Sequence, residues 1–447
     1  MLTRGQSVLS RLCHRMRSTS SRCGDTNTLV DWSLRQVALF LHLVRWAVLG
    51  ALSGILAGLS SWVFLKGLGY VTDWREDGRQ WLLYFLPLAG LGMGAAYHYG
   101  GGRSAHGNNL LLDEIHEPTA WVPGRMAPLV LVATLASHLF GASVGREGTA
   151  VQMSGSLTDG LARVVRMRPA DRRLLLVAAL AGGFGAVFGV PIAGAVFALE
   201  VQAVGRMRYE ALVPALAASL VGDGVVRALG YRHEKFNQLQ VHLDPWMIAK
   251  VAVAGLLFGL VGAAYSGLTH AIKRMMATVV ASPPLRPFVG GLAMMALVLF
   301  FGHQYQGLSL PLLNQALDGK HLVFSIFALK LAFTAVSLGT GFIGGEVTPL
   351  LMMGATLGSA LALVLGLDGR LIAAVGFCAV FAGAANTPLA CTIIGVELFG
   401  VGAIVPVGVG CVVAYVFSGH GSIYTSQRRA APNELFYKRL LSEDERG

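Results

Sequence analysis

Two glutamates in glycine-rich surroundings carry the strongest chemical signal in this 447-residue chain. Glu147 stands in Gly145-Arg146-Glu147-Gly148-Thr149, directly after the apolar stretch 126–144 and before a weaker one. That setting predicts a carboxylate at a helix start, deep in an apolar layer. An ionised side chain at bilayer depth costs roughly 2.5–3.5 kcal/mol, so such residues are paired, protonated or functional. Gly145 and Gly148 leave backbone N–H groups uncovered where the helix macrodipole favours negative charge. The result is an anion site, and the glutamate can fill it as a tethered anion. Ionised, it competes a free anion out; protonated, it swings away and admits one. A plain helix-capping glutamate is the alternative that these residues leave open.

Glu346 repeats the pattern in Gly-Thr-Gly-Phe-Ile-Gly-Gly-Glu-Val-Thr-Pro at 339–349. Pro349 suits a first helical turn, where its missing N–H costs nothing, and Thr348 offers a hydroxyl beside it. A structural glutamate paired with an arginine of a neighbouring helix is the other reading. Asn108 and Asn109 open a short apolar segment, and an amide there can donate to a dehydrated anion or cap the helix. Asp113 and Glu114 read as surface or ion-pair residues. Tyr424 follows the last apolar stretch just before Arg428 and Arg429, as a neutral phenol donor or an interfacial belt tyrosine. Gly141-Ala142-Ser143-Val144-Gly145 matches a nucleophile elbow, but no strand precedes it and no histidine is tied to it. The scattered histidines contain no H-E-x-x-H helix.

These residues need a hydrophobic frame, and the composition supplies one. Hydrophobic residues make up 54% and charged residues 13%, against about 45–50% and 25% in a soluble domain. The 57 glycines suit closely packed membrane helices. Of the net charge of +11, about +8 lies in two stretches: six Arg against two Asp in 1–37, and five Arg against one Asp in 163–173. Patches flanking apolar runs are expected to be cytoplasmic anchors, which argues against a nucleic-acid partner. Four apolar stretches lie between them, at about 38–64, 80–99, 126–143 and 148–163, returning the chain to its starting side. The Arg- and Ser-rich opening is expected to be a basic cytoplasmic arm without cleavage. Cys378, Cys391 and Cys411 read as packed thiols, while Cys13 and Cys23 lack zinc-site spacing. No metal or other cofactor is expected.

Further apolar segments recur to residue 417, several too short to span roughly 30 Å of hydrocarbon, which takes about 20 residues. Broken helices at that depth line binding sites. An internal repeat strengthens the case. Gly145, Glu147, Thr149, Met153 and Gly155 match Gly344, Glu346, Thr348, Met352 and Gly354 at an offset of 199. Phe184, Pro191, Ala193 and Glu200 then match Phe381, Pro388, Ala390 and Glu397 at 197. The repeat halves fall at about 80–230 and 285–427, inside a membrane domain at 38–427 flanked by segments 1–37 and 428–447. In transporters a substrate site commonly lies where such repeats meet. Spacing alone does not say whether these repeats are inverted.

Taken together, the Gly145–Thr149 motif, the segment ending in Pro191, the GGEVTP segment and the tyrosine near the C-terminus resemble the CLC chloride channel and transporter family. GREGT, GNNLLLDEIHEP and the glutamate of GGEVTP resemble its fluoride/proton antiporter branch. The resemblance covers nearly all of 38–427. It implies an all-α polytopic membrane protein with an inverted repeat of broken and re-entrant helices, forming a homodimer. Glu147 would be the external gating glutamate. Asn108, or Asn109 if the register slips by one, would coordinate the anion. Glu346 and Thr348 would serve fluoride and proton movement, the N–H of Val347 would be an anion ligand, and Tyr424 the central tyrosine. With the backbone at Gly145, Arg146 and Gly148 these form the candidate site. Many exchangers of the family place a proton-transfer glutamate just after the position of Glu200, where this chain has Val201. That departure fits the fluoride branch and a proton-free channel equally. The expectation is a fluoride/proton antiporter of the cell inner membrane, with cytoplasmic termini and no covalent chemistry. A chloride-selective channel or exchanger is the nearer alternative and an intramembrane hydrolase the distant one.

Overall fold

A computed structural model describes residues 26–234, 236–419 and 421–429; most of the two flanking segments, Cys13 and Cys23 lie outside them. The first helix, α1 (Thr26–Glu76), outruns the apolar stretch 38–64 at both ends. Compact packing begins at Val48, and residues before it form a separate unit. Within that unit Trp32, Leu34, Val37, Leu39 and Phe40 are exposed on the helix.

From there the described chain is mostly helical. The first repeat comprises α2 (Leu86–Ala95), α3 (Asn108–His116), α4 (Met126–Phe140), α5 (Glu147–Val164), α6 (Pro169–Phe188), α7 (Pro191–Glu200) and α8 (Leu212–Ala228). A long helix, α9 (Pro245–Val279), leads to the second. That repeat contains α10 (Leu285–Phe301), α11 (Leu310–Leu317), α12 (Ser325–Thr340), α13 (Val347–Leu365), α14 (Gly369–Ala385), α15 (Pro388–Phe399) and α16 (Ile404–Phe417). Among the described residues four helices are long and apolar enough to cross a membrane: Leu34–Glu76, Tyr209–Ala228, Pro245–Val279 and Val347–Leu365. The rest are the short pieces anticipated from the breaks. Proline begins α6, α7 and α15, where no N–H is lost.

Helix α5 is weakly hydropathic because its polar side chains are spent inside the protein rather than facing lipid. The Thr149 hydroxyl meets that of Thr134 at 2.7 Å, Ser154 donates to the Ala179 carbonyl at 2.8 Å, and Ser156 donates to that of Pro123 at 2.9 Å. Close packing elsewhere rests on small residues. A Cβ at Gly354 of α13 would stand 1.9 Å from the Gly376 carbonyl oxygen of α14, so those helices touch backbone to backbone.

The two repeats meet at a short antiparallel bridge. Gly145 N–H donates to Gly345 O at 2.7 Å, and Gly345 N–H returns a bond to Gly145 O at 2.8 Å. Because α5 and α13 both start just beyond this bridge, their N-termini lie side by side and the helices diverge in opposite senses. The repeats are inverted.

Candidate functional site

The bridge delivers the two glutamates to one place. Glu147 is fully buried, yet its carboxylate does not rest on its own helix start. It crosses to the other repeat: Oε1 accepts a hydrogen bond from the Thr348 hydroxyl, and Oε2 accepts the Thr348 N–H at 3.1 Å. Arg146 adds a longer N–H contact at 3.4 Å and a guanidinium Nε at 3.6 Å. The carboxylate thus lies where the N–H groups and dipole of α13 favour an anion.

One of the donors expected at the first helix start is committed otherwise, and the others are crowded. Gly145 uses its N–H in the bridge to Gly345. A Cβ on Gly345 would lie 2.9, 3.0 and 3.1 Å from the amide nitrogens of Gly148, Glu147 and Arg146, so that residue already covers the first turn of α5. The Gly145 N–H, expected as an anion donor, is thus already used in the bridge. Gly148 instead gives room: its own Cβ would stand 2.8 Å from Asn108 Nδ2.

Asn108 and Asn109 are told apart by their partners. Asn109 Oδ1 accepts the N–H of Ser426 at 3.0 Å and so fastens the C-terminal segment. Asn108 lines a small cavity of about 20 Å³ together with Glu147, Gly148, Val347 and Tyr424, and its Oδ1 has no partner among the described residues. That volume holds about one water-sized occupant. The far wall is apolar: Leu112, Val151, Leu180, Phe184, Phe197 and Val201.

Tyr424 arrives from a segment that is pinned rather than helical. Ile423 N–H donates to Ala384 O at 3.0 Å, Asn386 Nδ2 donates to Gly421 O at 3.2 Å, and Ala203–Val204 pairs in parallel with Arg428–Arg429. The Tyr424 ring sits edge-on to Phe197, 6.4 Å between centroids. Its hydroxyl has no hydrogen-bond partner among the described residues, and the residue lines the cavity.

Glu346 stands at the N-cap position of α13 without a side-chain capping bond, and lines a second cavity of about 160 Å³ together with Tyr97, His106, Asn108, Gln152 and Tyr424. Among the described residues no donor reaches its carboxylate, in contrast to Glu147. Val347 is buried and lines the smaller cavity.

Of the two readings open for Glu114, surface or ion pair, the second holds, and it holds in the interior. The side chain is fully buried and paired with Arg103 and with Arg172, the latter at 3.0 Å. Arg172 also binds Asp159 at 2.6 Å and is only 4% exposed, so this member of the 163–173 patch is an internal tie, not a surface anchor. The network joins α3, which presents Asn108, to α5, which presents Glu147. Ser143 of the nucleophile-like motif is buried, its hydroxyl 3.0 Å from that of Thr334. Among the described residues no three His, Cys, Asp or Glu side chains group as metal ligands.

Inverted repeats of broken helices that bring two acidic side chains and a small cavity together define a multi-pass membrane protein of the ion-moving class. The comparisons with known proteins give the family. The voltage gated chloride channel model matches residues 89–419. A "Chloride/fluoride channel protein" of Pseudomonas syringae pv. tomato is 45% identical over 401 residues, covering 88% of each chain. A crystal structure of a CLC-type fluoride/proton antiporter superposes with a TM-score of 0.85 at 35% identity, covering 88% of this chain and 99% of that one. A slow cyanobacterial Cl⁻/H⁺ antiporter shares the fold, with a TM-score of 0.75 at 20% identity over 90% of this chain and 99% of that one. This chain belongs to the voltage-gated chloride channel (CLC) family, and is not an enzyme.

Proposed function

We propose that this protein exports fluoride in exchange for protons moving inward, as a homodimer in the cell inner membrane with cytoplasmic termini. The observation that carries the reading is the Glu147 carboxylate seated on the Thr348 N–H and hydroxyl. A site built for an anion is filled by a side chain that can leave it on taking up a proton. Fluoride holds its water tightly, so donors must replace that shell: the α13 amides at Val347 and Thr348, the Asn108 amide, and the Thr348 and Tyr424 hydroxyls. Glu346, half-buried and without a donor among the described residues, is the second proton-carrying group. The relatives named as fluoride proteins support this choice of ion. An inside-negative potential adds about 2.3 kcal/mol per charge per 100 mV to both movements.

Purified protein in liposomes tests the reading. Imposing a fluoride gradient should drive opposed proton movement, and fluoride should outpace chloride in competition. Fluoride efflux with no pH change indicates a channel, and a chloride preference indicates the chloride-selective alternative.

A further inference from the structure

A transporter of this kind must deliver protons to Glu346 from one side of the membrane. The direct path past α7 is closed by its lining. Val201 is 2% exposed and faces the central cavity among Leu112, Val151, Leu180, Phe184 and Phe197, none of which can relay a proton.

Helix α9 offers a different face. Tyr265, Thr269 and Lys273 recur at i, i+4 and i+8, so they form one stripe, spanning about 12 Å along the helix axis. At its inner end the Tyr265 hydroxyl lies within electrostatic reach of Glu346 and Tyr424. Tyr265 is fully buried and Thr269 is 6% exposed; their hydroxyls face each other, and beyond that mutual contact neither has a partner among the described residues. Buried hydroxyls with unused bonding capacity are costly, and two facing each other on one stripe leave a donor or acceptor position open at either end of the pair. At the outer end Lys273 is exposed and lines a cleft of about 470 Å³ with His98, Arg286 and Tyr97. That cleft shares Tyr97, Ala105, Leu338, Phe342 and Ile343 with the cavity that holds Glu346. Lys273, Arg274 and Arg286 mark this side as cytoplasmic. The titratable and charged groups facing Glu346 are thus Lys273 and Tyr265 from α9, Tyr424 from the C-terminal segment, and Tyr97 and His106 from the 96–106 segment.

We propose that the Tyr265 and Thr269 hydroxyls, bridged by water from the Lys273 cleft, form the proton relay between the cytoplasm and Glu346. Each hydroxyl takes a proton on its oxygen while passing its own forward. One proton crosses, and the side chains are restored when the hydroxyls turn back. The relay rests on the fluoride/proton reading above and deepens it.

Tyr265→Phe removes only one hydroxyl of the facing pair, and Thr269→Val replaces the other with an isosteric methyl. Fluoride and proton fluxes measured together in liposomes should show the proton-to-fluoride ratio falling about tenfold. Thermal unfolding should be unchanged or raised, and Thr269→Ser should restore the ratio. If the wild type is coupled and the variants keep its ratio, the relay is wrong while the antiporter reading stands. If both fluxes fall together with thermal stability, the hydroxyls are structural and the relay is again wrong. A wild type that moves no protons removes the antiporter reading itself.

Discussion

Glu200 and Glu397 each cap the helix that carries the other. Glu200, the last residue of α7, accepts the N–H groups of Leu389 and Ala390 at 3.1 and 2.8 Å, at the start of α15. Glu397, within α15, accepts those of Ile192 and Ala193 at 3.0 and 2.8 Å, at the start of α7. The exchange is a second reciprocal contact between the repeats after the Gly145–Gly345 bridge, and it follows the same inverted symmetry. It also commits Glu200, the neighbour of Val201, to a capping role.

Removing either cap strands two N–H groups where water is scarce. Glu200→Ala is expected to lower stability by roughly 1–3 kcal/mol, seen as a reduced unfolding temperature in detergent. Glu200→Gln keeps one acceptor oxygen and should lose less. Glu397→Ala should lose less than Glu200→Ala, because Glu397 is less deeply buried than Glu200, which is 8% exposed.

Glu147→Gln tests the gate. The amide keeps the shape of the side chain and can still accept from Thr348, but it carries no charge to compete with fluoride and no proton to deliver. Proton flux driven by a fluoride gradient should disappear, while fluoride binding measured by calorimetry should persist. Normal exchange in this variant would defeat the gating role.

Much of this site is legible in the sequence. Repeat matching pairs Glu147 with Glu346 and Thr149 with Thr348, and the fold brings those two helix starts together. Spacing cannot show that Glu147 crosses to the opposite repeat, since that depends on Gly145 spending its N–H on Gly345. Nor can it separate Asn108 from Asn109, which differ only in what lies across from them. Glu114 stays open between surface and ion pair for a related reason. Its partners Arg103 and Arg172 are 11 and 58 residues away, and no local pattern points to either. The polar face of α5 lowers its apparent hydropathy because pairing inside the protein leaves no trace in a window average. The facing hydroxyls of Tyr265 and Thr269 are likewise invisible until their surroundings are known.

The buried ion network should be stiff and costly to break. Arg172 holds Asp159 through Nε and Nη2, Glu114 through Nη1, and the Ala120 carbonyl, with its guanidinium 4.7 Å from the Trp121 ring centre. Arg172→Met leaves two carboxylates without their shared cation, a loss of about 3–5 kcal/mol for a buried pair. We expect low expression of folded protein and, in what folds, weaker fluoride affinity, because α3 no longer holds Asn108 against Gly148. Unfolding and calorimetric titration of one preparation report both effects.

Gly345→Ala separates geometry from charge at the gate. The new methyl carbon would lie 2.9–3.1 Å from three amide nitrogens of the α5 first turn, closer than ordinary contact allows, and all of them belong to backbone that cannot rotate away. The two sides of the bridge must part, and the overpacking costs about 1–3 kcal/mol. Since the bridge sets how α5 approaches α13, Glu147 loses its reach to Thr348 while both side chains remain chemically intact. Fluoride flux, proton flux and fluoride binding are therefore expected to fall together, unlike Glu147→Gln, in which proton flux is lost while fluoride still binds. A folded Gly345→Ala protein with unaltered, coupled transport would show that the Glu147–Thr348 contact is not what seats the carboxylate.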